Sequence, residues 1–240
     1  MVERSHFRKV LFYLSRPTCI CCKEPLNISD FAFCPECSTE FKERLNNNCS
    51  FCTRDLRECD CAPEFLRAHF VKKLYKSIRY IGTDADNVSA SLIYSLKRRS
   101  RMDVLQFTTE LILESIKISG EDFSNWIFTN VPRRRQAVAE YGFDHSAYLA
   151  KTLAKRLGGN YKPLLKSRSK REQKQLTREE RMKNADFVLR KSAEGLKGKV
   201  LIVDDVVTTG ASMGTAAALI RSLGIKDIRG LTLAISYPDT

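Results

Sequence analysis

Residues 200–212 read VLIVDDVVTTGAS, and this stretch decides the predicted fold. Its apolar run from Val200 to Val203 is typical of a central strand that is buried on both faces of a parallel sheet. Asp204 and Asp205 follow directly, where this strand is expected to emerge. Because ligands of open α/β sheets bind beyond the carboxyl ends of the strands, the stretch predicts a ligand site at the acidic pair.

The residues after the acidic pair offer hydrogen-bond donors at the start of a predicted helix. Glycine lets the backbone turn tightly, and the free N–H groups of a helix's first turn form an anion site. Two carboxylates can accept hydrogen bonds from the vicinal hydroxyls of a ribose, so this arrangement predicts a ribose 5-phosphate site. The residues assigned to the phosphate are Thr208, Thr209, Gly210, Ala211 and Ser212. The alternative is that the acids only end a strand and that Thr-Thr-Gly only caps a helix.

The chain around this stretch alternates predicted strands and helices. Apolar, β-branched and aromatic runs predict strands at 70–82, 125–132, 161–165, 185–189, 199–203 and 227–237. Apolar faces at helical spacing predict helices at 84–99, 102–117, 144–159 and 211–224, the third of them capped by Asp144. This alternation predicts an α/β fold over residues 65–240, with a mostly parallel sheet flanked by helices.

All nine cysteines lie between Cys19 and Cys61, as four closely spaced pairs and one left over. In a Cys-x2-Cys turn both sulfurs point to one centre, and two such turns complete a tetrahedral zinc site. The spacing predicts a small zinc-ribbon head at residues 1–64 with two closed, structural zinc sites. It leaves open that only one site holds zinc, because a single residue separates the last pair, or that the pairs interlace. The predicted ligands are Cys19, Cys22, Cys34, Cys37, Cys49, Cys52, Cys59 and Cys61, and Cys21 is left for packing.

The net charge of +13 arises in the predicted α/β domain. Residues 1–62 carry nine basic and nine acidic side chains, whereas residues 63–240 carry 32 and 19. Such an excess attracts polyanions, among them nucleic acids and phosphorylated metabolites. No apolar run approaches the roughly 18 residues that a membrane span needs, so we expect a cytoplasmic protein without stable membrane insertion.

The stretch at 200–212 resembles the signature of type I phosphoribosyltransferases, in which an apolar strand, two acids and Thr-Thr-Gly lead into a helix. This resemblance implies a type I phosphoribosyltransferase-like fold. It also implies binding of phosphoribosyl pyrophosphate (PRPP) together with magnesium, with Asp204 and Asp205 as the catalytic acids.

Two further stretches narrow the resemblance. VPRRRQAVAEYGFDHSAYLA at 131–150 and RSKREQKQLTREERMKNADF at 168–187, together with the cysteine head, look like the ComF/GntX family of competence-associated proteins. The likeness spans about residues 10–236. Where this family usually has Arg-Gly-Phe-Asn-Gln, the chain has YGFDH at 141–145, which removes a cation and adds an acid near that loop.

The resemblance assigns two basic segments to the reacting part of the donor. The loop after Val131 and Pro132 should contact pyrophosphate through Arg133 and Arg134, with Arg135 as a further candidate; the alternative is a solvated surface run. The segment 168–184 should form a mobile loop that closes over the reacting bond. Residues 166–191 hold ten basic side chains against four acids, which also suits a nucleic-acid backbone. The loop candidates are Arg168, Gln173, Arg178 and Arg181, with Gln175 as an alternative to Gln173.

Two functions of different classes follow from the resemblance. In the first, the protein transfers a phosphoribosyl group to an unidentified acceptor, and His145 is a candidate for proton transfer. In the second, it binds PRPP and single-stranded DNA without transfer, during DNA uptake, natural transformation or recombination and alongside the proteins of those processes. Candidate base-stacking residues, for each of which core packing is an alternative, are Phe65, Phe70, Tyr75, Tyr80 and Tyr94.

Overall fold

The computed structural model describes residues 17–45, 48–80, 87–98, 101–133, 138–140, 142–167 and 187–236. Its strands are β1 Leu74–Arg79, β2 Ile127–Asn130, β3 Asn160–Tyr161, β4 Leu165–Ser167, β5 Phe187–Leu189, β6 Lys199–Val207 and β7 Asp227–Ile235. Its helices are α1 Pro35–Arg44, α2 Glu64–Ala68, α3 Asn87–Arg98, α4 Met102–Ser119, α5 His145–Arg156 and α6 Ala211–Arg221, with a 3₁₀ turn at Lys191–Ala193.

One parallel sheet has the strand order β1-β7-β6-β2-β3. Every neighbouring pair in it runs parallel, and β6 and β7 are the longest strands and lie side by side. The predicted α/β fold is therefore confirmed. The predicted cap of α5 is also present, since the carboxylate of Asp144 accepts a hydrogen bond from Ala147 N at 3.0 Å.

The segment predicted as one strand at 161–165 is instead divided between two sheets. Tyr161 ends β3 in the parallel sheet, whereas Leu165 begins β4, which pairs antiparallel with β5. Pro163 lies between them and has no N–H with which to continue a ladder. In the sequence, β4 precedes and β5 follows the segment 168–184 that was predicted to form the mobile loop, and that segment lies outside the described residues.

β6 is longer than its apolar run predicts. It continues past Val203 to Val207, because β7 pairs with it up to Val207 opposite Ile235. On its other side β2 pairs only up to Asn130 opposite Val203. Asp204 and Asp205 therefore lie inside a strand and not after it, at the level where one of its two neighbours has ended.

Each face of the sheet carries its own hydrophobic core. One core joins alternate residues of the sheet, such as Leu201 and Val203, to the apolar sides of α3, α4 and α5. The other core joins Val200 and Ile202 to α6, α2 and the β4–β5 ribbon. Within the described ranges, no helix combines the length and apolar character needed to cross a bilayer.

The cysteine-rich head reaches both cores and the edge strand between them. Cys19, Cys34 and Cys37 belong to the core with α3, α4 and α5, whereas Cys49 and Cys59 belong to the core with α6. At the edge itself, the N–H of Leu74 in β1 donates to the carbonyl of Asp60 at 3.0 Å. The division into residues 1–64 and 65–240 stays a prediction.

Candidate functional site

The turn between β6 and α6 has a left-handed backbone at its centre, a conformation that favours glycine. Gly210 has φ +78°, and a Cβ there would stand 2.8 Å from the Cγ and Cδ2 atoms of Leu66 in α2. α6 starts after it without a side-chain cap, and the N–H of Ala211 makes only a long bond of 3.3 Å to Thr209 Oγ1. The first turn of α6 therefore keeps N–H groups for an anion, next to the exposed hydroxyls of the turn.

A small pocket of about 50 Å³ lies at this turn. It contains the five predicted phosphate residues and one acid of the predicted pair. Its lining consists of Asp204, Val206, Val207, Thr208, Thr209, Gly210, Ala211, Ser212 and Met213. The structure thus brings Asp204 together with the predicted anion site, while Asp205 faces elsewhere.

Asp205 lies against helices α3 and α5. Its Oδ2 accepts a hydrogen bond from Nε2 of His145 at 2.8 Å, and Nζ of Lys97 lies 3.8 Å from the same oxygen. Its Oδ1 accepts from the N–H of Val206 at 2.8 Å, and its backbone carbonyl accepts from Thr232 Oγ1 at 3.1 Å. Successive residues of a strand point to opposite faces, so the two acids have separate surroundings.

These surroundings move the two carboxyl pKa values apart. Burial raises the pKa of Asp205, but the hydrogen bond and charge of His145, aided by Lys97, outweigh burial and lower that pKa below its ordinary value. Burial raises the pKa of Asp204 well above its ordinary value, and the neighbouring charge of Asp205 raises it further. Asp205 is therefore the acid whose ionised form is stabilised by its surroundings. The ionised form of Asp204 lacks such partners, so a hydrogen-bond donor or a cation in the pocket would stabilise it most.

His145, the candidate for proton transfer, does not line the pocket at the turn. It is 3% exposed and bound to Asp205 rather than facing the pocket, and its Nδ1 has no hydrogen-bond partner among the described residues. The pairing escaped the sequence interpretation because 60 residues separate the two side chains. The sequence offered one hint of an unusual role for His145. In YGFDH the chain has Asp-His where the family that it resembles usually has Asn-Gln.

Arg133 lies at the carboxyl end of β2 and is engaged with backbone carbonyls. It donates to Lys97 O at 2.8 Å and to Phe143 O at 3.4 Å. It also borders an open cavity of about 390 Å³ that contains two further cations, Lys166 and Arg190. The remaining predicted donor contacts, which are Arg134, Arg135, Arg168, Gln173, Arg178 and Arg181, lie outside the described residues.

The eight predicted zinc ligands form two groups of four. The sulfurs of Cys19, Cys22, Cys34 and Cys37 lie within 4.8 Å of one another, as do those of Cys49, Cys52, Cys59 and Cys61. Neighbouring sulfurs in the two groups are 3.6 Å and 3.4 Å apart, close to the about 3.8 Å between thiolates around a tetrahedral zinc. Both groups therefore fit zinc, without interlacing, and Cys21 belongs to neither.

The second group, which we call the second cysteine cluster, has a buried cation beside it. Lys76 of β1 is 1% exposed, and its ammonium donates to Cys59 Sγ at 3.3 Å. It also donates to the carbonyls of Cys59, Cys61 and Leu74 at 2.9–3.1 Å. A zinc with four thiolates carries two negative charges, so this ammonium would offset one of them. No sequence pattern indicates this contact, because lysine side chains are rarely fully buried.

Comparison with known proteins identifies the class of the domain around this site. Residues 144–236 match the model of the phosphoribosyl transferase domain, from the cap of α5 through β6, the glycine turn and β7. The chain therefore contains a phosphoribosyl transferase domain.

The chain as a whole is similar to Competence protein ComFC of Streptococcus pneumoniae (strain ATCC BAA-255 / R6). The two are 21% identical over 215 residues, which cover 87% of this chain and 90% of the relative. With the two four-cysteine groups ahead of the transferase domain, this similarity confirms the resemblance to the ComF/GntX family.

Proposed function

We propose that this protein binds PRPP with magnesium at the pocket between Asp204 and Ser212 and acts in DNA uptake, natural transformation or recombination. One observation carries the proposal: Asp204 lines the same pocket as the uncapped first turn of α6 and the hydroxyls of Thr208, Thr209 and Ser212. That pocket offers N–H and O–H donors for a phosphate and a carboxylate for a sugar hydroxyl.

The same arrangement supports phosphoribosyl transfer. The 5-phosphate of the donor binds the first turn of α6, and Asp204 accepts a hydrogen bond from a ribose hydroxyl. As a nucleophile of the acceptor forms its bond to C1 of the ribose, the bond from C1 to pyrophosphate breaks and pyrophosphate takes the electron pair. The ring becomes positively charged on the way, and the carboxylate of Asp204, which lines the pocket, stabilises it. The arginines after Pro132 and those of residues 168–184 would contact the oxygens of the departing pyrophosphate, and magnesium, when bound with the donor, would supply further positive charge there. The geometry calls for no covalent nucleophile.

The name of the similar pneumococcal protein supports the role in competence. A second function, PRPP-responsive binding of single-stranded DNA without transfer, is favoured by the net charge of +13. Three candidate stacking rings are exposed, Phe65 at 43%, Phe70 at 46% and Tyr94 at 51%. The other two are not available in the same way, because Tyr75 is 3% exposed and Tyr80 is only partly exposed.

The two functions are separated by following pyrophosphate release from PRPP and magnesium, with and without single-stranded DNA. We expect release that Asp204→Asn abolishes and that Glu194→Gln, a change of an exposed acid away from the pocket, leaves intact. DNA retention without turnover, weakening steeply as salt rises, would instead support the binding function. If calorimetry detects no PRPP binding in the presence of magnesium, both forms of the proposal fail.

A further inference from the structure

The second cysteine cluster is joined to the sugar-phosphate turn by one short helix. α2 begins at Glu64, three residues after the ligand Cys61. Its Leu66 is fully buried and lies at the centre of the turn, against Gly210. Phe65 and His69, which stack on each other with ring centres 4.1 Å apart, lie against Gly214 in the first turn of α6.

These contacts leave the turn little freedom to move independently of α2. A Cβ on Gly210 would be 2.8 Å from Leu66, and one on Gly214 would be 2.9 Å from the ring of Phe65. Protein interiors are close-packed, so a small displacement of α2 would displace the turn that packs against it, and a displacement of the turn would likewise displace α2. The position of α2 therefore determines the position of the first turn of α6.

The position of α2 depends in turn on the second cysteine cluster. Cys49, Cys59, Leu56 and Leu66 share one core with Met213 of α6. Strand β1 also contacts the last cysteine pair. The ammonium of Lys76 donates hydrogen bonds to the carbonyls of Cys59 and Cys61, and the N–H of Leu74 donates to the carbonyl of Asp60. Four sulfurs drawn onto one metal would fix the residues just before α2, and a stretch this small has little core of its own to do so.

We propose that metal binding in the second cysteine cluster organises the sugar-phosphate turn, residues 208–214, through α2, so that the metal and a sugar phosphate bind cooperatively. The inference rests on the proposed function for its ligand. Cooperativity of this kind is reciprocal: the metal strengthens sugar-phosphate binding, and the sugar phosphate slows metal loss by the same equilibrium factor. The first cluster, Cys19, Cys22, Cys34 and Cys37, has no part in it, because it lies in the core on the opposite face of the sheet.

The chain offers a matched pair of variants for the test. Cys52→Ser removes one ligand of the second cluster, and Cys22→Ser removes one ligand of the first. For each full-length protein we would measure zinc per chain, hydrogen–deuterium exchange of the peptide covering residues 205–218, and PRPP binding by calorimetry. We expect each variant to lose about one zinc. Only Cys52→Ser should speed exchange at the turn and weaken PRPP binding, each by about tenfold.

A third variant tests whether α2 couples the second cysteine cluster to the turn, and it keeps every cysteine. It therefore remains informative if Cys52→Ser does not fold. Leu66→Ala should retain both zinc ions, yet exchange at residues 208–214 should rise and PRPP should no longer slow zinc release to a chelator. Ile225→Ala, a truncation in the same core away from α2, should leave that slowing intact.

The outcomes separate this inference from the function on which it rests. If the intact protein binds no PRPP, the proposed function fails, while the exchange measurement still decides whether the metal organises the turn. The inference is overturned if the turn exchanges alike in Cys52→Ser and the intact protein, if Cys22→Ser affects it equally, or if PRPP slows zinc release as strongly in Leu66→Ala.

Discussion

The contact between Gly210 and Leu66 can be tested by adding a single methyl group to the turn. In Gly210→Ala the new residue would keep φ near +78°, which costs an L-residue about 1–2 kcal/mol. Its Cβ would also stand 2.8 Å from Cγ and Cδ2 of the fully buried Leu66, and such overpacking adds about 1–3 kcal/mol. We therefore expect a destabilisation of about 2–5 kcal/mol, or a fall in Tm of roughly 10 °C for a chain of this size.

Gly224→Ala is the control that separates the two costs. Gly224 has φ +88°, but nothing lies within 4 Å of its added Cβ, so only the backbone strain of about 1–2 kcal/mol applies. In a Leu66→Ala background the overlap disappears, and Gly210→Ala should then cost no more than Gly224→Ala. Urea unfolding of the four proteins of this double-mutant cycle measures the coupling. Equal losses for Gly210→Ala in both backgrounds would refute the proposed contact between α2 and the turn.

Three more predictions concern the buried charges. Asp204→Asn should raise Tm at about pH 8 and raise it much less at about pH 5. The pKa of Asp204 is raised in the folded protein, so ionising this carboxyl costs stability as pH rises through that pKa. An equal rise in Tm at both pH values would contradict this. His145→Leu should cost about 3 kcal/mol at neutral pH by leaving Asp205 charged without its main partner. This loss of stability should shrink at pH values below about 3.9, the pKa of Asp205 in the unfolded chain, because the stability that a lowered folded pKa provides is lost as pH falls. Urea unfolding at several pH values measures it. A loss that does not depend on pH would count against the pairing of His145 with Asp205. Lys76→Met should weaken zinc binding at the second cluster about 10–100-fold in chelator competition, whereas Lys226→Met, at an exposed position, should not; equal affinities would exclude a role for the ammonium.

Local patterns predicted the parts of the molecule that depend on local physics. The apolar run before Asp204 indicated a strand buried on both faces, and Val200 to Val203 are all fully buried. Cys-x2-Cys spacing indicated the ligand groups, because a tight turn by itself aims two sulfurs at one point. Asp144 was recognisable as a cap because its partner, the N–H of Ala147, is three residues away.

The rest depends on partners that only the folded chain brings together. The end of β6 is set by β7, which pairs with Asp204 through Thr232 and carries the strand past residues that disfavour it. The different surroundings of the two acids come from His145 and Lys97 on separate helices. Similarly, no pattern around Lys76 indicates a buried ammonium, because three of its four acceptors are the carbonyls of Cys59 and Cys61 and the sulfur of Cys59, which belong to the cysteine-rich head.

The unusual spacing of the last cysteine pair has a physical explanation in the edge of the sheet. In an extended segment, residues two apart point to the same side, so Cys59 and Cys61 can both reach the cluster while the residue between them faces the other way. Asp60 uses this position to accept a hydrogen bond from Leu74 N, and its carboxylate lies 3.0 Å from Lys73 Nζ. A longer Cys-x2-Cys turn would curl the backbone away from β1 and leave the N–H of Leu74 without this acceptor. The short spacing thus links the metal ligands to the first residue of the edge strand β1, so that metal binding would also help to fix the start of that strand.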